Sequence, residues 1–265
     1  MTTLRRYLRT AFRFWGASLA ADMEYRLNFI VATLTALTSL AGSVFTLSLF
    51  YRGGDTLGGW TWPQALLVTG IYTLIAGIQS AIMMPNRMRV TEHVREGTLD
   101  FVLLKPIDSQ FWLSTNRFSL FGLPSVALGL GLIGYAALRI EPPLSIADVL
   151  LGLPLVLLGL LVLYGVGFIL CTLTIWFVKM WNITIAMQEL VEAGKYPISA
   201  YPWGYQVFFT FILPVAFMTT VPAESMLGRG DGGSWLAAAG VTVLVLLVAR
   251  GFWQFALRSY TSASS

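Results

Sequence analysis

One cysteine and one histidine are present among 265 residues, and only 11% of the chain is charged. The lone Cys171 excludes an intrachain disulfide and any cysteine-cluster metal site. His93 has no second imidazole to share a metal with, and no HExxH occurs, which argues against a zinc centre. It reads as a solvated or docking-face residue. No G-x-x-x-x-G-K-[ST] loop is present, so the chain carries no P-loop of its own for ATP. Soluble domains hold roughly 25% charged residues, so the scarcity of charge here excludes an ordinary soluble globular protein. A low-complexity tail is also lacking, as is any soluble segment of domain size.

Apolar residues are what the chain has in quantity: 56% of the total, with a mean hydropathy of +0.72. The net charge of +4 does not point to nucleic acid, because the basic residues lie between apolar runs and form no long solvated patch. Residues 1–265 therefore read as a single all-α integral membrane domain.

The charge that exists is concentrated in one island, Arg87–Pro106 (RMRVTEHVREGTLDFVLLKP), between two apolar runs. On a helical wheel Val90, Val94 and Phe101 share an apolar side, with Arg87, Arg95, Glu96 and Asp100 elsewhere. Gly97 predicts a bend or cap, and Pro106 stops the segment. An amphipathic element pinned between two spans suits docking of a soluble partner, and we take residues 86–106 as that element.

Ahead of the first span, residues 2–21 place Leu4, Leu8, Ala11, Phe12, Trp15 and Leu19 on one helical side and Arg5, Arg6, Arg9 and Arg13 on the other. That pattern fits an interfacial helix with its arginines toward anionic headgroups. The alternative, a secretory signal peptide, has too short an apolar core, broken by arginine. Spans are then predicted at Leu27–Tyr51, Pro63–Met84, Phe111–Leu138, Val149–Val178 and Trp235–Leu257. Trp60 and Trp62 are expected to be interfacial anchors. In the first span Asn28, Thr35, Thr38, Ser39, Gly42 and Thr46 form a small, polar stripe, suited to helix packing, a subunit interface or a pathway lining. Gly122, Gly129, Gly131 and Gly134 in the third span, and Gly152, Gly159, Gly165 and Gly167 in the fourth, favour close approach.

Between the fourth and last spans two arrangements are open. Trp181–Tyr201 stays on the inner side and Trp203–Val221 is the fifth span, which hydropathy prefers. In the other, Asn182–Ser199 crosses with Glu189, Glu192 and Lys195 buried, and Tyr201–Met226 is re-entrant, broken by prolines. Each gives six spans. With the N-terminus inside, only Arg52, Arg139 and Arg229 of the 17 basic residues fall outside, so the charged island is cytoplasmic by the positive-inside rule. Glu189 and Glu192 share a helical face. They read as a charged patch pairing with Lys195 or as a buried polar site.

Four stretches carry a family resemblance: EYRLNFI at Glu24–Ile30, REGTLDFVLLKPID at Arg95–Asp108, KYPISAYP at Lys195–Pro202 and ILPVAFMTTVPAESMLG at Ile212–Gly228. In their order and spacing the chain resembles a bacterial ABC-2 type permease, over nearly its whole length. The resemblance implies six transmembrane helices behind an N-terminal amphipathic elbow, the ABC-2 (type V exporter-like) fold. It also implies two permease subunits per transporter, identical or related, and two cytoplasmic ATPase subunits that bind the ATP and magnesium. The chain itself would bind no cofactor and no nucleic acid. The place would be the bacterial inner membrane, with both termini cytoplasmic. On the same basis Arg95, Glu96, Gly97, Thr98, Leu99 and Asp100 are expected to contact the ATPase, and the re-entrant arrangement of 201–226 is favoured. Two other readings stand beside it: an intramembrane hydrolase using Glu189 and Glu192, and a non-transporting membrane anchor for an ATPase.

Overall fold

The computed structural model describes residues 3–53, 56–177 and 191–260, which form helices and turns with no extended strand among them. Among the described residues, five helical stretches are long and apolar enough to cross a membrane: Arg26–Gly53, Trp62–Arg95, Leu120–Arg139, Ile146–Ile175 and Gly232–Ser259.

Helix α1 (Thr3–Met23) lies against the segment that precedes the third span. Its Tyr7 ring meets Phe111 edge-on at 4.6 Å, Trp15 Nε1 donates to the Thr115 carbonyl at 3.0 Å, and Asp22 accepts from the Leu120 N–H at 2.9 Å. Ala11 and Ser18 are buried on the same side, whereas Phe12, Leu19, Arg9 and Arg13 are exposed. The face expected to enter lipid as a unit is therefore divided: Ala11 and Trp15 pack on protein, and Phe12 and Leu19 stay outward.

The second predicted span does not end where the charge begins. Helix α3 (Trp62–Ile78) runs through a π-turn at Gln79–Met83 into α4 (Met84–Arg95), one continuous helical rod. Thr61 and Gln64 cap its start reciprocally. Pro85 has no N–H to give the Ala81 carbonyl one turn back, and that carbonyl instead accepts from Ser119 N–H at 2.7 Å. The next residue, Asn86, acts as a surrogate backbone: its Nδ2 donates to the Arg117 carbonyl at 2.8 Å and its Oδ1 accepts from Arg117 N–H at 3.0 Å. These bonds hold the third predicted span open. Rather than one helix from Phe111, the chain forms α6 (Ser109–Thr115), an irregular link, a short 3-10 turn and then α7 (Leu123–Arg139). The link is tolerated at this depth because its backbone groups are satisfied by the neighbouring helix.

Glycines decide how the rods approach. A Cβ on Gly129 would strike the Leu74 backbone, and one on Gly77 would strike Val126, so α3 and α7 touch backbone to backbone. Gly131 and Gly134, expected to share that role, face open space. Helix α8 (Ile146–Thr172) begins with a Ser145–Asp148 capping box. Its glycines meet Met226, Met218, Val245 and Arg87 in turn. The last helix, Gly232–Ser259, packs along α8, with Trp253 edge-on to Phe168 at 5.4 Å.

The segment 191–229 folds back on itself. Helix α9 (Trp203–Val207) continues as a π-turn, Phe208–Ile212, and stops where Leu213 is extended ahead of Pro214. Helix α10 (Thr220–Met226) returns, and the Thr220 hydroxyl accepts from Ile198 N–H at 3.1 Å. A continuous fifth span over Trp203–Val221 is thereby overturned. Thr69 donates to the Lys195 carbonyl at 2.9 Å, Trp60 Nε1 donates to Ser199 at 2.7 Å, and Arg229 donates to Gln64 at 3.1 Å. The segment thus caps the Trp60 end of the bundle, not the end that holds Arg95. Of the other expected crossing, Asn182–Ser199, residues 182–190 lie outside the described residues. Trp60 is buried under this cap and does not serve as a lipid anchor. With the cap in place, Gly232–Ser259 is α11.

Candidate functional site

At the Arg95 end, Gly97 adopts φ +67° and terminates α4. The break resets the helical phase, and α5 (Leu99–Leu103) starts on a new line. Val90 remains buried, but Phe101 is 69% exposed, while Leu99 is 0% exposed and packs with Val102, Leu113, Phe168 and Trp253. A single wheel drawn through Gly97 put Phe101 on the buried side. The structure corrects this. Leu99 therefore anchors the element from below, and Phe101, Leu104 (81% exposed), Arg95, Glu96 and Lys105 form the outward surface. Thr98 is fixed by a 2.7 Å hydrogen bond to His93 Nδ1 and by its N–H to the His93 carbonyl. Lys105 Nζ sits 3.8 Å over the Trp112 ring. Asp100 is partly buried beside Leu99.

The element is tied to the last helix by an ion pair. Asp108, the N-cap of α6, accepts from Phe111 N–H at 2.9 Å and takes both terminal nitrogens of Arg250, at 2.6 and 3.1 Å. Arg250 also donates to Gln110 at 3.1 Å. Burial works to raise the Asp108 carboxyl, but the hydrogen bonds from Arg250 and Phe111 outweigh it and hold it below the usual carboxylate range.

Behind this contact lies a cavity of about 500 Å³ between α3–α4, α6 and α8. Arg87 lines it. Expected among the solvated charges of the island, Arg87 is only 7% exposed, because α4 continues the membrane rod and carries it inward beside Gly167.

Compared with known protein families, residues 37–264 match the family described as "ABC-2 family transporter protein". The chain belongs to the ABC-2 transporter family. No curated protein and no solved structure matched it. ABC-2 membership makes the chain the membrane component of a transporter whose ATP hydrolysis lies in separate partner subunits.

Two further groups take their places in this ABC-2 chain. The stripe Asn28, Thr35, Thr38, Ser39, Gly42 and Thr46 faces out of α2 (Arg26–Phe50), along with Phe29, Leu37 and Phe45. Thr35 and Thr38 bond back to the carbonyls of Val31 and Leu34, which leaves the helix fit for lipid or for another helix. Glu192 and Lys195 form an ion pair at 2.5 Å near the Trp60 end. Glu189 lies outside the described residues. Sequence reasoning missed the Asp108–Arg250 tie, which joins residues 142 apart. It also missed the burial of Arg87, although a signal existed: an arginine two residues past Pro85, still on the helix of an apolar run.

Proposed function

We propose that the chain is the permease subunit of an exporter driven by two cytoplasmic ATPases, and that these dock on the surface around Phe101 and Leu104. The observation that carries this reading is a short helix whose inner side chains, Leu99 and Val102, are locked into the core. Its outer side shows two large apolar residues ringed by Arg95, Glu96 and Lys105. Such a patch is a partner site in miniature: an apolar centre with a charged rim. Its attachment gives it leverage. A push on α5 reaches α4 directly and reaches α11 through Asp108 and Arg250. The π-turn at Gln79–Met83 is the place where the α3–α4 rod can yield. ATP binding would drive the permease pair only if the ATPase contacts this surface differently in its two states.

A second subunit, identical or related, would cover α2, whose exposed small-residue stripe suits helix contact. With basic residues concentrated at the Arg95 end, that end is cytoplasmic, in a bacterial inner membrane. The test is co-purification of the ATPase with Phe101→Asp and Leu104→Asp. Burying each parent side chain contributes about 1–2 kcal/mol, so the double variant should retain at least ten-fold less ATPase while the permease melts as the parent does. Undiminished ATPase capture and coupling by a folded double variant would remove the docking assignment. ATPase capture without substrate movement in proteoliposomes would instead favour the anchor reading.

A further inference from the structure

The broken ends of the third span are held by α1 as well as by α4. Where α6 stops, the Thr115 carbonyl has lost its helical donor, because the Ser119 N–H is turned to Ala81. Trp15 Nε1 takes the vacant place at 3.0 Å. Where the helix resumes, the first N–H of the 3-10 turn, at Leu120, donates to the Asp22 carboxylate at 2.9 Å. Between these two bonds the Trp15 ring lies 5.5 Å from that of Phe118. Ahead of them Tyr7 meets Phe111, and its hydroxyl accepts from the Asp108 N–H at 3.4 Å. Tyr7, Trp15 and Asp22 thus reach residues 108–111, 115–118 and 120 in that order. One unbroken helix lies along a broken one, as a splint.

The remaining circumference of α1 faces outward as two flanks of different chemistry. Arg9 and Arg13, one turn apart, are exposed on one flank. Neither forms an ion pair with a described residue. Phe12, Leu19 and Met23 line the other flank at 66%, 36% and 63% exposure. Charge beside hydrocarbon along a single helix matches the layering of a bilayer surface, where anionic phosphates lie next to acyl chains. Connectivity puts α1 at that level: it ends at Met23, and the candidate span α2 begins at Arg26.

We propose that α1 is seated by anionic phospholipid, with the Arg9–Arg13 flank on the headgroups of the leaflet at the Arg95 end and the Phe12–Met23 flank in the hydrocarbon beneath. Seating α1 holds the joint at 115–120 in place, so the order of that joint depends on the lipid. The proposal rests on the membrane placement of the chain and not on ATPase docking, and a failure of docking leaves it standing.

The experiment reconstitutes the full chain in nanodiscs of phosphatidylcholine, alone or mixed with phosphatidylglycerol, and follows amide hydrogen exchange. Phosphatidylglycerol should slow exchange at Leu120 by roughly ten-fold, less at high salt, and leave Ala136 in the α3–α7 seam unchanged. Arg9→Gln with Arg13→Gln should remove most of that difference while exchanging as the parent does in phosphatidylcholine. Arg9→Lys with Arg13→Lys should retain it, since headgroups attract the charge. Equal exchange in the two lipids, or an undiminished difference in the glutamine variant, would overturn the proposal. Loss of the difference in the lysine variant would assign the flank to a protein partner that reads the guanidinium fork, and would overturn it too. Should the glutamine variant not fold, Asp22→Ala keeps both arginines and cuts the tie. A lipid difference that survives at Leu120 in that variant would likewise refute the splint.

Discussion

The tie between Asp108 and Arg250 lends itself to a quantitative test. Asp108→Asn removes the charge but keeps an oxygen for the Phe111 N–H, so the N-cap of α6 survives and the variant reads the ion pair. Charge-assisted hydrogen bonds contribute about 1.5–3 kcal/mol. The two side chains are 43% and 32% exposed, and solvent screening lowers the expectation to about 1–2 kcal/mol. In a double-mutant cycle with Arg250→Gln, unfolding followed by tryptophan fluorescence in detergent should give a coupling energy of that size. The sign of the pH dependence follows from the direction of the shift. Since the folded Asp108 carboxyl lies below its unfolded value, near about 4, the stabilisation is present above that value and is lost as pH falls through the folded one. A coupling energy inside the roughly 0.3–0.5 kcal/mol of simple additivity, or one that persists in acid, would refute the reasoning. It would then follow that α11 is not held to the docking element by this pair.

Three further outcomes are expected. Asn86→Leu strands the Arg117 N–H and carbonyl at a buried joint and should cost about 2–4 kcal/mol in denaturant unfolding, with increased amide exchange through 116–120. Gly129→Ala pushes a methyl group into the Leu74 backbone and should destabilise by about 1–3 kcal/mol; Gly131→Ala, facing open space, should be neutral or stabilise by up to about 1 kcal/mol in the same melt. Leu99→Ala should cost about 2–5 kcal/mol, whereas Phe101→Ala should change the melt by about 0.5 kcal/mol or less, a contrast that separates anchor from contact surface.

Much of this architecture is legible in the sequence, because hydrocarbon thickness and hydropathy constrain it. The five long apolar stretches, the leading amphipathic helix and the charged element between the second and third spans all follow from composition along the chain. What sequence does not show is who satisfies whom. The break before α7 is invisible at residues 116–119, since its cause lies in Pro85 and Asn86 on another helix. Arg87 reads as solvated because charge normally marks the end of a span, and only the continuation through the π-turn carries it inward. Phe101 and Leu99 exchange roles because a wheel assumes one helix, and Gly97 makes two. Hydropathy preferred a continuous span where 191–229 folds back, because it weighs side chains and not the hydrogen bond from Ile198 to Thr220.

The backbone contact between α3 and α7 bears on how such a machine can move. Two cylinders separated by a layer of long side chains can slip, each rotamer change absorbing part of the displacement. With Gly77 and Gly129 seated against the opposing main chain, there is no such cushion, and a shift of one residue would drive a neighbouring Cβ into a peptide plane. The pair behaves as a splined shaft: it resists sliding and transmits torque with little loss. Rotation that passes the π-turn at Gln79–Met83 would therefore carry α3 and α7 together toward the Trp60 end, and its relief would fall at the seam with α8, where the cavity lies.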